Sequence, residues 1–274
     1  MIDLHSHILP GIDDGAKTLA ISIEMAQLAV ADGIQTMACT PHIYPGLYVN
    51  NASGIAAARD VLQLELQARG IALRLVIGAD VHLVPEVLAG LREARVPTLN
   101  SSRYLLLEPS HHVAPPRFEE SVFQLVAAGY IPVITHPERL TWIETHFEVF
   151  IRLIQQGAWM QVTASALTGM FGPRAKYWGE KFVGDGHTHI LATDAHSNRR
   201  RIPCLSEGLA VAERLLGKTE AARLVFERPQ AILDNLSPDA VTPLHQRTPR
   251  LGWLSKLRHS ANLLTRRETQ PGGP

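Results

Sequence analysis

The sequence contains few of the features that mark secreted or membrane-spanning proteins. Its 274 residues include only two cysteines, Cys39 and Cys204, too few for a disulfide framework, which favours a reducing compartment. No apolar run approaches the roughly 18 residues needed to cross a bilayer. The N-terminus lacks the charged start and apolar core of a signal peptide. These absences predict a cytoplasmic globular protein.

An excess of charge is also missing. The 26 basic residues balance 26 acidic ones, and 46% of the residues are hydrophobic. Disordered chains combine low hydrophobicity with excess charge, and nucleic-acid-binding domains carry basic patches. The composition therefore excludes both classes, and we expect no nucleic-acid partner.

The basic residues are concentrated at the C-terminal end. Residues 241–274 carry six basic side chains against one acid, a local charge of +5 that leaves −5 for residues 1–240. Apolar residues from Trp253 to Leu264 recur at helical spacing between the basic ones. This pattern suits peripheral contact with an anionic membrane or a partner, and equally a terminal helix docked on its own domain. We predict a domain over 1–240 and a basic appendage over 241–274, partly helical or disordered.

Seven short apolar or β-rich runs recur along residues 1–240. They are Ile2–His5, Ile34–Thr40, Leu73–Gly78, Tyr104–Leu107, Ile131–Thr135, Trp159–Thr163 and His189–Ala192. Segments of helical periodicity lie between them, one beginning after a Thr18 cap and two others ending at Gly129 and Gly157. Alternating strands and helices predict parallel βα units. Because no Gly-rich dinucleotide loop is present, we predict an α/β fold of the seven-stranded TIM-like barrel type.

Imidazole and carboxylate side chains follow nearly every predicted strand. In chain order they are His5, His7, Asp13, Asp14, His42, Asp80, His82, Glu108, His136, Asp194 and His196. In a βα barrel the strand C-termini open on one mouth, where active sites lie. A single His-x-His or Asp-x-His pair has weak predictive value, since Asp after a strand is commonly a turn or helix cap. The joint pattern predicts a site for zinc, manganese or iron, with His111, His112 and His146 on the rim or surface.

Several motifs together resemble one protein superfamily. They read MIDLHSH, GIDDG, CTPH, GADVHLVPEVL, VPTLNSSRYLLLE, PVITHPER and ATDAHSNRRR. In this order they are similar to the polymerase-and-histidinol-phosphatase (PHP) superfamily, and within it to the manganese-dependent protein-tyrosine phosphatases of bacterial capsule and exopolysaccharide operons, the CpsB/YwqE type. The likeness runs from Met1 to about Asn235 and implies the distorted seven-stranded barrel of the PHP type.

The resemblance implies three divalent metals, most often manganese, and a ligand for each position. His5, His7 and Asp194 would hold the first metal, Asp80 would bridge it to a second completed by Glu108 and His136, and Asp14, His42 and His196 would hold the third. Arg139 and Arg201 match arginines that the family uses around the phosphate. Asp80 departs from the family, which usually carries Glu there, and His82 is either a compensating ligand or a neighbour of the site.

The resemblance also implies the reaction, hydrolysis of phosphotyrosine on a protein. Its expected substrate is a membrane-associated tyrosine autokinase that controls capsular or exopolysaccharide synthesis. No Cys-x5-Arg loop is present, which excludes a phosphocysteine mechanism. Three alternatives stay open: a small-molecule phosphatase acting on a substrate such as histidinol phosphate, a metal-dependent amidohydrolase, and an inactive PHP module with a regulatory role. The loop Ile43–Asn51 is either an aromatic wall for the substrate ring or an ordinary surface connection.

Overall fold

A computed structural model of the chain describes residues 1–244, and the predicted appendage lies outside these residues from 245 onward. The described part contains nine strands. They are β1 (Ile2–Ser6), β2 (Thr36–Cys39), β3 (His42–Ile43), β4 (Arg74–Ile77), β5 (Asp80–His82), β6 (Tyr104–Glu108), β7 (Ile131–Thr135), β8 (Trp159–Thr163) and β9 (Ile190–Ala192). Every pairing between neighbouring strands is parallel.

Ten α-helices accompany these strands within residues 1–244. They are α1 (Leu19–Ala31), α2 (Ala52–Ala68), α3 (Val87–Arg92), α4 (Phe118–Ala127), α5 (Ile143–Gln155), α6 (Ala164–Leu167), α7 (Gly172–Gly184), α8 (Ser206–Leu216), α9 (Lys218–Arg223) and α10 (Glu227–Leu233). The predicted cap of α1 is confirmed, since the Thr18 side chain accepts a hydrogen bond from Ile21 N. Gly129 and Gly157 follow α4 and α5 with φ of 90° and 100°, a conformation that glycine adopts readily. No helix in the described range combines the length and apolarity needed to span a bilayer.

The strands form two parallel sheets, in the orders β1-β2-β4 and β3-β5-β6-β7-β8-β9. The mixed α/β fold with parallel strands is as predicted, but the described residues contain two more strands than the seven expected. Within the predicted strand Ile34–Thr40, β2 ends at Cys39. The separate strand β3 begins at His42, after Thr40 and Pro41, and Pro41 has no N–H for a sheet hydrogen bond. The predicted third strand is likewise followed by β5, after Gly78 and Ala79.

The far edges of the two sheets lie side by side. His7 N donates to Ala195 O at 2.8 Å, and Asp194 N donates to His5 O at 2.9 Å. These bonds join the end of β1 to the segment that follows β9. The chain segments that carry the first and last predicted ligands are therefore held together by backbone hydrogen bonds.

The alternation of side chains along a strand explains how an acidic group reaches the site. On β6, Leu105 and Leu107 pack in the apolar cluster that contains residues of α1, α2 and α4. Tyr104 and Leu106 pack in a second, inner apolar cluster with Leu4 and other strand residues, together with residues of α10. Successive side chains on a strand point to opposite faces. Glu108 continues the second set, so its carboxylate projects from the end of the inner layer.

Candidate metal centre

Two histidines from β1 and the residues just after it form the centre of a buried imidazole–carboxylate cluster. His5 and His7 are fully buried, and their Nε2 atoms lie 3.2 Å apart. Each Nε2 also faces Oδ1 of Asp194, at 3.4 Å from His5 and 3.3 Å from His7. The three residues predicted for the first metal therefore converge on one point.

The opposite ring nitrogen of each histidine contacts a protein acceptor. Nδ1 of His5 lies 2.9 Å from Gln161 Oε1, and Nδ1 of His7 lies 2.7 Å from Asp13 Oδ2. Such partners fix the ring orientation and favour the tautomer that leaves the other nitrogen free. Gln161 and Asp13 thus orient Nε2 of both histidines toward Asp194, a role that the sequence alone did not assign to them.

Asp80 lies between three imidazoles that come from different strands. Its Oδ2 is 3.5 Å from His5 Nε2, 3.4 Å from His42 Nδ1 and 3.9 Å from His136 Nε2. The side chain is fully buried, and Oδ1 accepts a hydrogen bond from Thr135 Oγ1 at 3.4 Å. This oxygen therefore lies between His5 and His136, which were predicted to bind the first and second metals, and it also faces His42 of the third group.

Glu108 and His136 lie beside each other next to Asp80. His136 Nε2 is 3.6 Å from Glu108 Oε1, and His42 Nδ1 is 3.6 Å from Glu108 Oε2. His111 lies closer still, with Nε2 3.2 Å from Glu108 Oε1. His111 was predicted to lie on the rim or the surface. Its half-buried ring also contacts Glu108, and together with Glu108 and His136 it forms a group with metal-ligand spacing.

The third predicted group is partly exposed. Asp14 Oδ1 lies 3.5 Å from His42 Nε2 and 3.4 Å from His196 Nε2, and His7 belongs to the same set of possible ligands. The loop that carries Asp14 approaches β1 closely, since a Cβ on Gly15 would lie 2.1 Å from His7 O. Glycine at this position allows the approach.

Two of these residues have an uncommon backbone conformation. His136 has φ of 36° and Asp194 has φ of 50°, both in the left-handed region that non-glycine residues rarely occupy. Each follows a strand, β7 or β9, and turns its side chain into the cluster. Strain of this kind costs on the order of 1–3 kcal/mol per residue and concentrates at functional sites.

The donor set fits divalent metal ions. Oδ2 of Asp80 and Nδ1 of His42, which face each other in the cluster, are buried and have no hydrogen-bond partner within residues 1–244. Buried polar atoms without partners are costly. Two nitrogen or oxygen ligands each about 2.1 Å from a tetrahedral ion lie roughly 3.4 Å apart. Separations of 3.3–3.5 Å between Asp194 or Asp80 and the histidines of β1 match that spacing.

The charges in the cluster favour ionised carboxylates. Although burial opposes ionisation, His5 holds the pKa of Asp80 well below its usual range, and Arg201 does the same for the pKa of Asp194. Burial also opposes protonation of His5, but the carboxylates of Asp194 and Asp80 raise its pKa to about 9. Burial lowers the pKa of His136 to about 3. A metal would therefore displace a proton from His5 and find His136 already neutral.

Two arginines lie at the open side of the cluster. Arg139 Nη1 and Arg201 Nη2 both donate to Asp194 Oδ2, the oxygen that does not face the histidines. Both guanidinium groups lie over the ring of Phe171, with Cζ of Arg139 4.3 Å and Cζ of Arg201 5.7 Å from its centroid. No sequence signal indicated Phe171, which lies in the connection between α6 and α7.

A cavity of about 280 Å³ opens onto this group. Its lining residues are Asp14, His42, Glu108, His111, His136, Arg139, Asp194, His196 and Arg201. Carboxylates and imidazoles line one part and arginines another, so the cavity pairs a metal-binding surface with an anion-binding one. The nine predicted ligands and both predicted arginines lie within or directly beneath this cavity.

His82 and the loop that follows β3 occupy one edge of the cluster. The ring of Tyr44 stacks on His82 with centroids 3.8 Å apart, and Tyr48 stacks on His42 at 5.5 Å. His82 Nδ1 lies 3.6 Å from Glu108 Oε2, on the opposite side of Glu108 from His136. His82 therefore contacts the predicted ligand Glu108.

Neither cysteine has the environment of a nucleophile. Burial raises the pKa of both the Cys39 thiol and the Cys204 thiol. Neither residue lines the cavity. Since the thiolate is the reactive form, these environments agree with the absence of a Cys-x5-Arg loop.

A family model for capsular polysaccharide synthesis proteins of the CpsB/CapC type matches residues 1–234. The chain belongs to this family. The chain is 38% identical over 237 residues to the tyrosine-protein phosphatase YwqE of Bacillus subtilis, covering 86% of this chain and 92% of that protein. It is 28% identical over 240 residues to the tyrosine-protein phosphatase CpsB of Streptococcus pneumoniae, covering 85% of this chain and 98% of that one.

Solved structures show the same relationship. A crystal structure from work on YwqE of Bacillus subtilis and CpsB of Streptococcus pneumoniae, described as unique metal-dependent tyrosine phosphatases, matches with a TM-score of 0.84 and 34% identity. That match covers 90% of this chain and 100% of the other. A histidinol phosphate phosphatase from Lactococcus lactis matches with a TM-score of 0.52 at 13% identity, over 80% of this chain and 93% of its own. The second likeness shows a shared fold alone.

Proposed function

We propose that this protein is a metal-dependent protein-tyrosine phosphatase that acts on a phosphorylated tyrosine autokinase of capsular or exopolysaccharide synthesis. The observation that carries the proposal is the cavity in which unpartnered buried ligand atoms lie beside two arginines. This arrangement suits a phosphate monoester, because the anion needs both metal coordination and directional hydrogen bonds. Membership of the CpsB/CapC family and the names of its relatives support phosphotyrosine as the substrate.

We assign the ligands to three metals as the sequence motifs indicate. His5, His7 and Asp194 would hold the first, Glu108 and His136 the second, and Asp14, His42 and His196 the third, and Asp80 would be shared by the first and the second. Divalent ions close together acidify water and neutralise phosphoryl oxygens. The mixed nitrogen and oxygen donors suit manganese, with iron and zinc as alternatives.

The chain's own residues then orient the substrate. Arg139 and Arg201 bind phosphoryl oxygens through planar guanidinium groups, which match the geometry of phosphate better than lysine does. Asp194 holds both arginines at the open side of the cluster. The leaving phenolate has a pKa of about 10, so it departs with less acid assistance than an alkoxide. We therefore expect aryl esters to be preferred over alkyl phosphates.

We also infer that the strands form a barrel and that the chain consists of a domain and an appendage. β3 follows closely on β2, and β5 on β4, so that each pair counts as one strand position. The bonds between the end of β1 and the segment after β9 join the two sheets. Counted in this way, seven strand positions surround the inner apolar cluster.

Residues 1–240 form the phosphatase domain, and the basic segment 241–274 is an appendage that suits contact with the membrane or the kinase at the cytoplasmic side.

The test is hydrolysis of a phosphotyrosine peptide by protein stripped of metal and then reloaded. Chelator should abolish phosphate release, and manganese should restore it. The kcat/KM on phosphotyrosine peptide should exceed that on a phosphoserine peptide of the same sequence and on histidinol phosphate. Full turnover in excess chelator would refute metal dependence. Comparable turnover of histidinol phosphate would refute the protein substrate and leave the phosphatase chemistry intact.

A further inference from the structure

A tight turn at the cavity mouth presents two further arginines. His196 N and Ser197 N both donate to Arg201 O, at 2.9 and 3.2 Å, which closes the turn at its base. Ser197 Oγ accepts hydrogen bonds from Arg199 N at 3.3 Å and Arg200 N at 3.2 Å. His196 and Arg201 line the cavity. The tip, Arg199 and Arg200, is therefore held directly beside the mouth.

A second contact anchors the same turn to the fold. The Asn198 side chain donates to the carboxylate of Glu24 on α1. The Glu24 carboxylate therefore accepts a hydrogen bond from the asparagine and not from a neighbouring arginine. The turn has a defined position, so the two guanidinium groups at its tip are presented from a fixed backbone.

These two arginine side chains have no acidic partner within the described part of the chain. Both are exposed, and neither forms an ion pair or a side-chain hydrogen bond with any residue in the described part of the chain. The only acid in residues 193–205 is Asp194, which is already bonded to Arg139 and Arg201. Residues 1–240 carry a net charge of −5, so this cationic tip contrasts with the surrounding domain.

We propose that Arg199 and Arg200 form a docking surface for acidic side chains that flank the phosphotyrosine of the protein substrate. The inference rests on the proposed function, because the phosphotyrosine in the cavity brings its neighbouring residues to the mouth. Exposed guanidinium groups attract carboxylates over about 10 Å at moderate ionic strength. They also favour bidentate contact. The surface thus selects among phosphotyrosine segments by their sequence, whereas the cavity selects the phosphoryl group.

The experiment compares phosphotyrosine peptides that differ only in flanking charge. One peptide carries glutamates on both sides of the phosphotyrosine, and the other carries glutamines at the same positions. For the metal-loaded full chain, the ratio of kcat/KM between them should be roughly three to ten, the size expected from two exposed ion pairs. The ratio should approach one in the R199A/R200A variant. High salt should have the same effect on the wild-type protein.

A matched control removes two arginines far from the cavity. Arg74, which begins β4 at the opposite end of the strands, and Arg92, in the last turn of α3, are both exposed and form no ion pair within residues 1–244. The R74A/R92A variant has the same change in net charge, and it should keep the wild-type ratio. A similar fall in both variants would mean that total charge, not the turn, determines the preference.

Binding of the same peptides with a fluorescent label separates docking from turnover. Anisotropy should give the glutamate peptide the lower Kd, with the same dependence on Arg199 and Arg200. A ratio of one in the wild-type protein, or a ratio retained in R199A/R200A, overturns the docking surface. The docking surface is also overturned if the R199A/R200A variant loses only its binding to anionic vesicles, because that result would indicate that a lipid surface occupies this site. If neither peptide is hydrolysed, only the proposed function is refuted. The ratio of the two Kd values still tests the docking surface.

Discussion

Replacing Phe171 by leucine should weaken phosphate binding without removing metal. The substitution keeps an apolar side chain but removes the aromatic face that lies 4.3 Å from Arg139 Cζ and 5.7 Å from Arg201 Cζ. A cation–π contact contributes about 0.5–1 kcal/mol when exposed and about 2 kcal/mol when desolvated. The arginine side chains are 15% and 24% exposed, between these limits.

The expected loss follows from these contacts. Taking about 1 kcal/mol for the closer arginine and about half of that for the more distant one gives about 1.5 kcal/mol. Since 1.36 kcal/mol corresponds to tenfold, kcat/KM on phosphotyrosine peptide should fall roughly tenfold in Phe171→Leu. The inhibition constant of inorganic phosphate should rise by a similar factor, because the same guanidinium groups hold the product.

The assay includes variants that isolate the aromatic face. Phe171→Tyr should restore most of the activity, while Phe123→Leu, which changes an exposed phenylalanine on α4, should have no effect. In an Arg139→Ala background, Phe171→Leu should cause a smaller loss than in the wild-type protein, since one of its partners is gone. Unchanged phosphate inhibition in Phe171→Leu would refute the reasoning. A fall in metal content that parallels the loss of activity would show that Phe171 packs the site instead.

Three further substitutions test the remaining assignments. Asp80→Ala should reduce bound metal, measured by mass spectrometry of the reloaded protein, whereas Asp80→Glu should retain it; equal metal content in both would contradict a bridging carboxylate. Arg139→Ala should lower kcat/KM by roughly a hundredfold with metal retained, the scale of losing one charged contact to the transition state. Gly15→Ala should lower the melting temperature, because its Cβ would lie 2.1 Å from His7 O, and an unchanged thermal transition would show that the loop shifts freely.

The sequence indicated that the candidate ligands would lie close together because their spacing follows that of the parallel strands. His5, Asp80 and Glu108 each sit at or near the end of a predicted strand, and strand C-termini in parallel βα units meet at one end. Two strand predictions, Ile131–Thr135 and Trp159–Thr163, match β7 and β8 in both boundaries. Both strands are rich in apolar and β-branched residues and each follows a glycine that ends a helical segment, so the sequence pattern indicates them clearly.

The sequence could not predict contacts that depend on tertiary packing. Gln161 lies on β8 and Phe171 beyond α6, and neither residue type identifies a partner 156 positions away or a stacked pair of arginines. The short strands β3 and β5 were also missed, since segments of two and three residues are too short to show a strand periodicity. His111 follows Glu108 by three residues in an irregular segment, where the sequence pattern does not indicate which way a side chain points.

Asp194 explains why metal binding and phosphate binding belong to one structural unit. Its Oδ1 faces the Nε2 atoms of His5 and His7, while its Oδ2 accepts hydrogen bonds from both arginines. The left-handed backbone at Asp194 places the carboxylate between these two groups. A ligand that moves Asp194 on one side must therefore change the arginine positions on the other. Loss of activity in an arginine variant consequently identifies a phosphate-binding role only when the metal content of the same sample is measured beside it.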